Sequence, residues 1–285
     1  MSPPPVGAVP PPVDGPLPPG AAPGERLGRA LAGTPAVAGW RVLRVGPLPA
    51  APGWVTLRDA LAPAAVDRWV AVAQAGLGRL RTTGPGGHPG PVPPQVAPTY
   101  VLGWVLDALA WAGGVPYGLV RRVPPLGLQR VGVHRAAPLG QVDAVVLLAP
   151  AGTGPTDDRE HDGRGDDASA AALGAGLAAA GRAVEAAWRP PVRVGSRQRW
   201  GLLADAVDDV LAATGAARGD AAAGVADADA VLRGAPEPLR GRTRATADPG
   251  RGVAAWTRER RSCCFAYAVD RALVCSTCPR LRRRG

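Results

Sequence analysis

Apolar residues recur three, four and seven positions apart in several stretches of the chain, and that spacing predicts amphipathic helices. In "LAPAAVDRWVAVAQA" the residues Val66, Trp69, Val70 and Ala73 share one face of a helix over about Ala62 to Ala75. "APTYVLGWVLDALAWAGG" is apolar almost all round, which predicts a helix buried at the centre of the domain. Thr99 is its expected N-cap, and Gly113 and Gly114 its expected stop. A third helix is expected in "AAALGAGLAAAGRAVEAAW", capped near Ser169 and ended by Pro190 and Pro191. The fourth, "SRQRWGLLADAVDDVLAATG", begins at a capping Ser196 and lines Trp200, Leu203, Ala204, Val207, Val210 and Leu211 on one face. Its Asp205, Asp208 and Asp209 then fall on the expected solvent side. "AAAGVADADAVLRG" predicts another helix, and "ERLGRALAG" a short one.

Alternation and β-branching mark strands instead. "GWRVLRVG" (39–46) reads as one, and "LQRVGVHR" and "QVDAVVLLA" as two more joined by a turn. The expected class is α+β: predominantly α-helical, with a small antiparallel sheet in the first half and a distinct C-terminal segment. Residues 1–24 are rich in Pro and Gly and are expected to be disordered. Residues 25–252 form the expected α+β domain, with an acidic, Gly-rich, mobile insertion at 152–168; residues 253–285 form the C-terminal segment.

Composition adds a charge argument. The formal net charge is +10, and all 33 basic residues are Arg. A basic balance favours anionic partners, but no Arg stripe interleaved with aromatics appears, so nucleic acid is not expected. No run of about 18 apolar residues predicts a transmembrane helix. The first residues lack the charged and apolar regions of a secretory leader. The expected location is therefore the cytoplasm, either free or peripheral to the inner face of the membrane, where thiols stay reduced.

All four cysteines lie near the C-terminus, as Cys263, Cys264, Cys275 and Cys278, spaced CC-x10-C-x2-C. Buried structural thiols, disulfides, a zinc site and an iron–sulfur cluster are the alternatives. A vicinal disulfide strains the backbone and suits the wrong compartment. Structural zinc usually takes C-x2-4-C pairs on both sides, and only one side here has that form. A cluster held by four thiolates tolerates irregular spacing. The three histidines, His88, His134 and His161, are not spaced as ligand pairs.

"RRSCCFAYAVDRALVCSTC" resembles the C-terminal signature of the FhuF-type ferric siderophore reductases, with Arg260, Arg261 and Ser262 ahead of the cysteine doublet and Tyr267 at an aromatic position. Members often have a Pro/Gly-rich loop before the third cysteine and Gly-Asp between the last two. Here "VDRAL" and Ser276-Thr277 stand in those places. The resemblance implies a [2Fe–2S] cluster on Cys263, Cys264, Cys275 and Cys278, used for one-electron reduction of ferric siderophores, most simply of hydroxamate type. Arg260, Arg261, Ser262, Ser276 and Thr277 are then candidates for tuning the cluster through charge and hydrogen bonds to sulfur. No nucleotide or flavin signature is present, so the electron donor is expected to be separate; an acidic ferredoxin-like protein suits the basic tail. The competing readings are a zinc-stapled, non-enzymatic binding module and a [2Fe–2S] relay or sensor.

Overall fold

The computed structural model describes residues 23–32, 42–83, 90–148, 166–253, 255–270 and 278–279. The expected disordered start (1–24) lies outside them up to residue 22, and the expected acidic insertion (152–168) lies outside them up to residue 165. In chain order the elements are α1 (Pro23–Ala32), β1 (Val42–Gly46), β2 (Trp54–Thr56), α2 (Leu57–Ala60), α3 (Pro63–Thr83), α4 (Val96–Val120), β3 (Val131–Ala136) and β4 (Gln141–Leu148). Then follow α5 (Asp166–Ala187), α6 (Ser196–Ala217), α7 (Ala221–Gly234), β5 (Ala245–Ala247), a 3-10 turn (Pro249–Arg251), β6 (Trp256–Arg258) and α8 (Ala266–Val269). The class is α+β, as the hydrophobic pattern predicts.

The sheet corrects one expectation. Its order is β1-β4-β3-β2, and β1 runs parallel to β4 while the other pairs are antiparallel. The sheet is therefore mixed. The physical reason is the connection: α2, α3 and α4 intervene between β1 and β3, and a long helical crossover permits parallel pairing, whereas the short turn between β3 and β4 imposes an antiparallel hairpin. A second, two-stranded sheet of β5 and β6 lies late in the chain, where no strand is expected from the sequence.

Helix α4 is the centre of the core, with Val101, Leu102, Val105, Ala108, Leu109 and Ala112 fully buried. It does not stop at Gly113 and Gly114 but continues through Pro116 to Val120. Those glycines serve close packing instead. A Cβ on Gly114 would lie 2.4 Å from Val210 Cγ1, and one on Gly118 would lie 2.2 Å from Thr214 Oγ1. Both partners belong to α6, so the missing side chains set how closely the two helices approach. Thr99 is likewise not a cap. Gln95 occupies that place, and the buried Thr99 hydroxyl donates to Gln95 O at 2.8 Å. The same shift applies to α5 and α6. Ser169 is buried inside α5, which starts at Asp166, and Gly195 rather than Ser196 is the N-cap of α6.

The predicted apolar faces of α3 and α6 are buried as expected: Val66, Trp69, Val70 and Ala73 on one, and Trp200, Leu203, Ala204, Val207, Val210 and Leu211 on the other. Trp69 also ties α3 to the sheet, its Nε1 donating to Gly140 O at 2.7 Å. Among the described residues, no helix is long and apolar enough to cross a membrane.

Candidate iron–sulfur site

The C-terminal segment is built on α6, and the residues that hold it are the ones the sequence pattern assigns to solvent. Asp205 is 3% exposed and Asp208 fully buried. This overturns the solvated-face reading for Asp205 and Asp208, while Asp209 stays partly exposed. The sequence pattern weighs only hydrophobicity, and it cannot see that a polar stretch of chain covers this face.

Segment 258–263 runs antiparallel along α6. Arg258 pairs with Asp209 and approaches Asp205 at 3.6 Å. Asp205 Oδ1 accepts from the backbone N–H of Arg261 at 2.8 Å. Its Oδ2 accepts from the backbone N–H of Ser262 at 3.1 Å and from the Ser262 hydroxyl at 2.7 Å. One turn earlier on the helix, Gly201 admits the segment: a Cβ there would lie 3.2 Å from Ser262 Cβ. A further turn back, Gln198 Nε2 donates to Cys263 O at 2.5 Å. Gln198, Gly201, Asp205 and Asp208 are spaced three, four and three apart, so they form one stripe on the helix. This stripe is the functional feature missed from sequence. Its spacing was visible, but it reads as an interruption of an amphipathic helix.

Asp208 extends the clamp to the other flank. It accepts from the Thr243 hydroxyl at 2.7 Å and the Arg244 N–H at 3.2 Å, and it pairs with Arg261. Arg261 also donates to Arg242 O. Two buried carboxylates thus meet two nearly buried guanidiniums, and the charges compensate each other. Asp209 differs from its neighbours. Its pKa is raised to about 6, first by burial and further by Asp107, with Arg258 and Arg260 opposing. Its side chain nevertheless keeps 37% of its exposure, so water moderates the effect.

Beyond the doublet, Phe265 takes a left-handed backbone (φ 59°) and turns the chain into α8. Its ring lies 6.3 Å from that of Tyr267. Val269 is buried, and Arg81 of α3, itself 5% exposed, donates to Ala268 O and, at 3.0 Å, to Gly90 O. The segment is therefore pinned at both ends: to α6 before Cys264, and to α3 after it.

Cys263 and Cys264 are half-buried, and Cys278 is buried. Cys275, Ser276 and Thr277 lie outside the described residues. Among the described residues, no three or more His, Cys, Asp or Glu side chains gather closely enough to hold a metal. The donor chemistry is nonetheless that of a thiolate-ligated cluster: Cys263, Cys264 and Cys278 each bring a sulfur, and none is fully exposed. The candidate tuning residues divide. The Ser262 hydroxyl is spent on Asp205, and the Arg261 guanidinium on Asp208 and Arg242 O, so both hold the backbone. Arg260 is half-buried and contributes positive charge near Asp209.

The doublet thus lies by the N-terminal end of α6, held there through Gln198. Residues 260–280 match the model of the FhuF 2Fe-2S C-terminal domain. The chain carries this FhuF-type domain, and its cofactor is a [2Fe–2S] cluster. No curated protein matches the chain.

Proposed function

We propose that the protein reduces ferric siderophores, of hydroxamate type, by one electron in the cytoplasm and so releases Fe(II). The observation that carries this reading is the match of the FhuF 2Fe-2S domain over the stretch containing all four cysteines. Cys263, Cys264, Cys275 and Cys278 are the proposed ligands. When bound, the cluster supplies a single electron at a potential set by charge, hydrogen bonding and exposure.

The chain's own residues prepare that step. Asp205 and Gln198 fix the backbone leading into the doublet, so the Cys263 and Cys264 thiolates leave a rigid support. Arg258 and Arg261 are neutralised by carboxylates. Their charge is therefore largely cancelled at the cluster, and tuning falls to local backbone dipoles and to Arg260. The iron of the siderophore is substrate. Fe(III) accepts one electron and becomes Fe(II), which anionic oxygen ligands hold far less tightly. The proposed electron donor is a separate protein with an acidic, ferredoxin-like surface, matched to the net charge of +10.

The test is a stoichiometric reoxidation. The protein is reduced anaerobically with dithionite, freed of excess reductant and mixed with ferrioxamine. One Fe(II) trapped by a ferrous chelator per cluster reoxidised supports the reading. A reduced cluster that stays reduced overturns it in favour of relay or sensing.

A further inference from the structure

At the end of α3 remote from Arg81, a groove of about 390 Å³ opens between that helix and the turn joining β3 to β4. Small-molecule sites typically occupy roughly 300–1,000 Å³. Trp69 forms one wall, and because its Nε1 is engaged by Gly140 O, the indole presents only its apolar body. Val72, 49% exposed, and Pro138 extend that surface. Two guanidiniums border the groove, Arg68 from α3 and Arg135 from β3. Arg135 stacks over the Trp69 ring at 5.4 Å. Its pKa lies below the ordinary guanidinium range, first through burial and then through the charge of Arg68.

The two arginines lack the counter-charge that others in this protein have. Arg121 and Arg218 share Asp227, Arg199 pairs with Glu185, and Arg233 and Arg242 share Asp229. Among the described residues, the guanidiniums of Arg68 and Arg135 have no hydrogen-bonded or ion-paired partner, although the Arg135 backbone N–H donates to Gly53 O at 3.0 Å. Two cations held in each other's field beside an apolar wall repel one another, and a dianion between them removes that repulsion. Guanidinium forks match phosphate oxygens in geometry as well as charge. A carboxylate would bring only one charge to the two cations.

We propose that this groove binds a small organic phosphate, with the phosphate between Arg68 and Arg135 and the organic portion against Trp69, Val72 and Pro138. The site is separate from the iron–sulfur segment. Arg81 lies thirteen positions beyond Arg68 on α3, about 20 Å at ~1.5 Å per residue. The proposal therefore does not depend on the reductase reading.

Calorimetric titration of the full chain with phenyl phosphate and with inorganic phosphate tests it. The expected result is saturable one-to-one binding, with the ester at least about tenfold tighter because only it can use the apolar wall. Arg68→Gln and Arg135→Gln should each weaken the ester by about tenfold or more, while Arg44→Gln, on the exposed side of β1, leaves it unchanged. Arg68 is exposed, so its variant keeps the fold and stands as the decisive one if Arg135→Gln is unstable. Non-saturating heats, or affinity untouched by Arg68→Gln, overturn the proposal. So does attachment to phosphatidylglycerol vesicles without binding of the soluble ester.

Discussion

Asp205 and Ser262 form a two-point clasp: one carboxylate oxygen of Asp205 accepts both the backbone N–H and the hydroxyl of Ser262, at 3.1 and 2.7 Å. The clasp joins α6 to the residue just before the cysteine doublet, 57 positions away in sequence. Removing the carboxylate would leave the N–H groups of Arg261 and Ser262 and two guanidiniums short of a partner. Breaking a buried charge network of this kind costs about 3–5 kcal/mol. Asp205→Ala should therefore lower the unfolding free energy by that amount, as read by denaturant titration, and reduce cluster content per chain, as read by iron analysis. Normal stability with full iron content would contradict the clasp.

Asp209 gives a pH prediction with a defined sign. Its carboxyl titrates near 3.8 when unfolded and about 6 when folded. A raised carboxyl pKa means that the folded state holds the proton more tightly. Its contribution to stability is therefore present at low pH and lost as pH rises through about 6. Because the side chain is more than a third exposed, the effect should stay below about 1 kcal/mol. Unfolding of wild type and Asp209→Asn at pH 4.5 and 7.5 checks this. Wild type should lose stability relative to the variant across that interval, and the opposite trend would refute it.

The α4–α6 crossing predicts a steric penalty. A side chain at Gly114 must displace Val210, whose Cγ1 would stand 2.4 Å from the new Cβ. Gly114→Ala should destabilise the protein by about 1–3 kcal/mol. Adding Val210→Ala should recover part of that loss, since it makes room. A double-mutant cycle by thermal unfolding gives the coupling, and strict additivity would count against direct contact.

The ligand assignment is tested at Cys278, the buried thiol. Cys278→Ser should remove or shift the visible absorption of the cluster and lower iron and sulfide content, while far-UV circular dichroism from the helices persists. Cys263→Ser should behave likewise. An unchanged spectrum in either variant would strike that residue from the ligand set.

The helices were legible in the sequence because their apolar stripes are regular: the faces at Val66–Ala73 and Trp200–Leu211 could be named residue by residue. Their ends were not, since Gly113, Gly114, Ser169 and Ser196 carry the composition of boundaries while their positions are fixed by tertiary packing. The parallel pairing of β1 with β4 is non-local and leaves no mark in either strand. The site was half legible. The cysteine spacing announced the chemistry, but the support beneath it is a polar stripe on α6, and polarity alone reads as exposure. Gln198 and Asp205 become informative only once the chain at 261–263 is known to lie across them.

That support bears on where the segment's shape comes from. Gln198, Asp205 and Asp208 fix the approach to the doublet through contacts the polypeptide makes with itself. Small zinc modules gain their shape from the metal they bind. Here one flank of the doublet is held by hydrogen bonds and ion pairs of the polypeptide itself, so that flank draws its support from the chain and not from a metal.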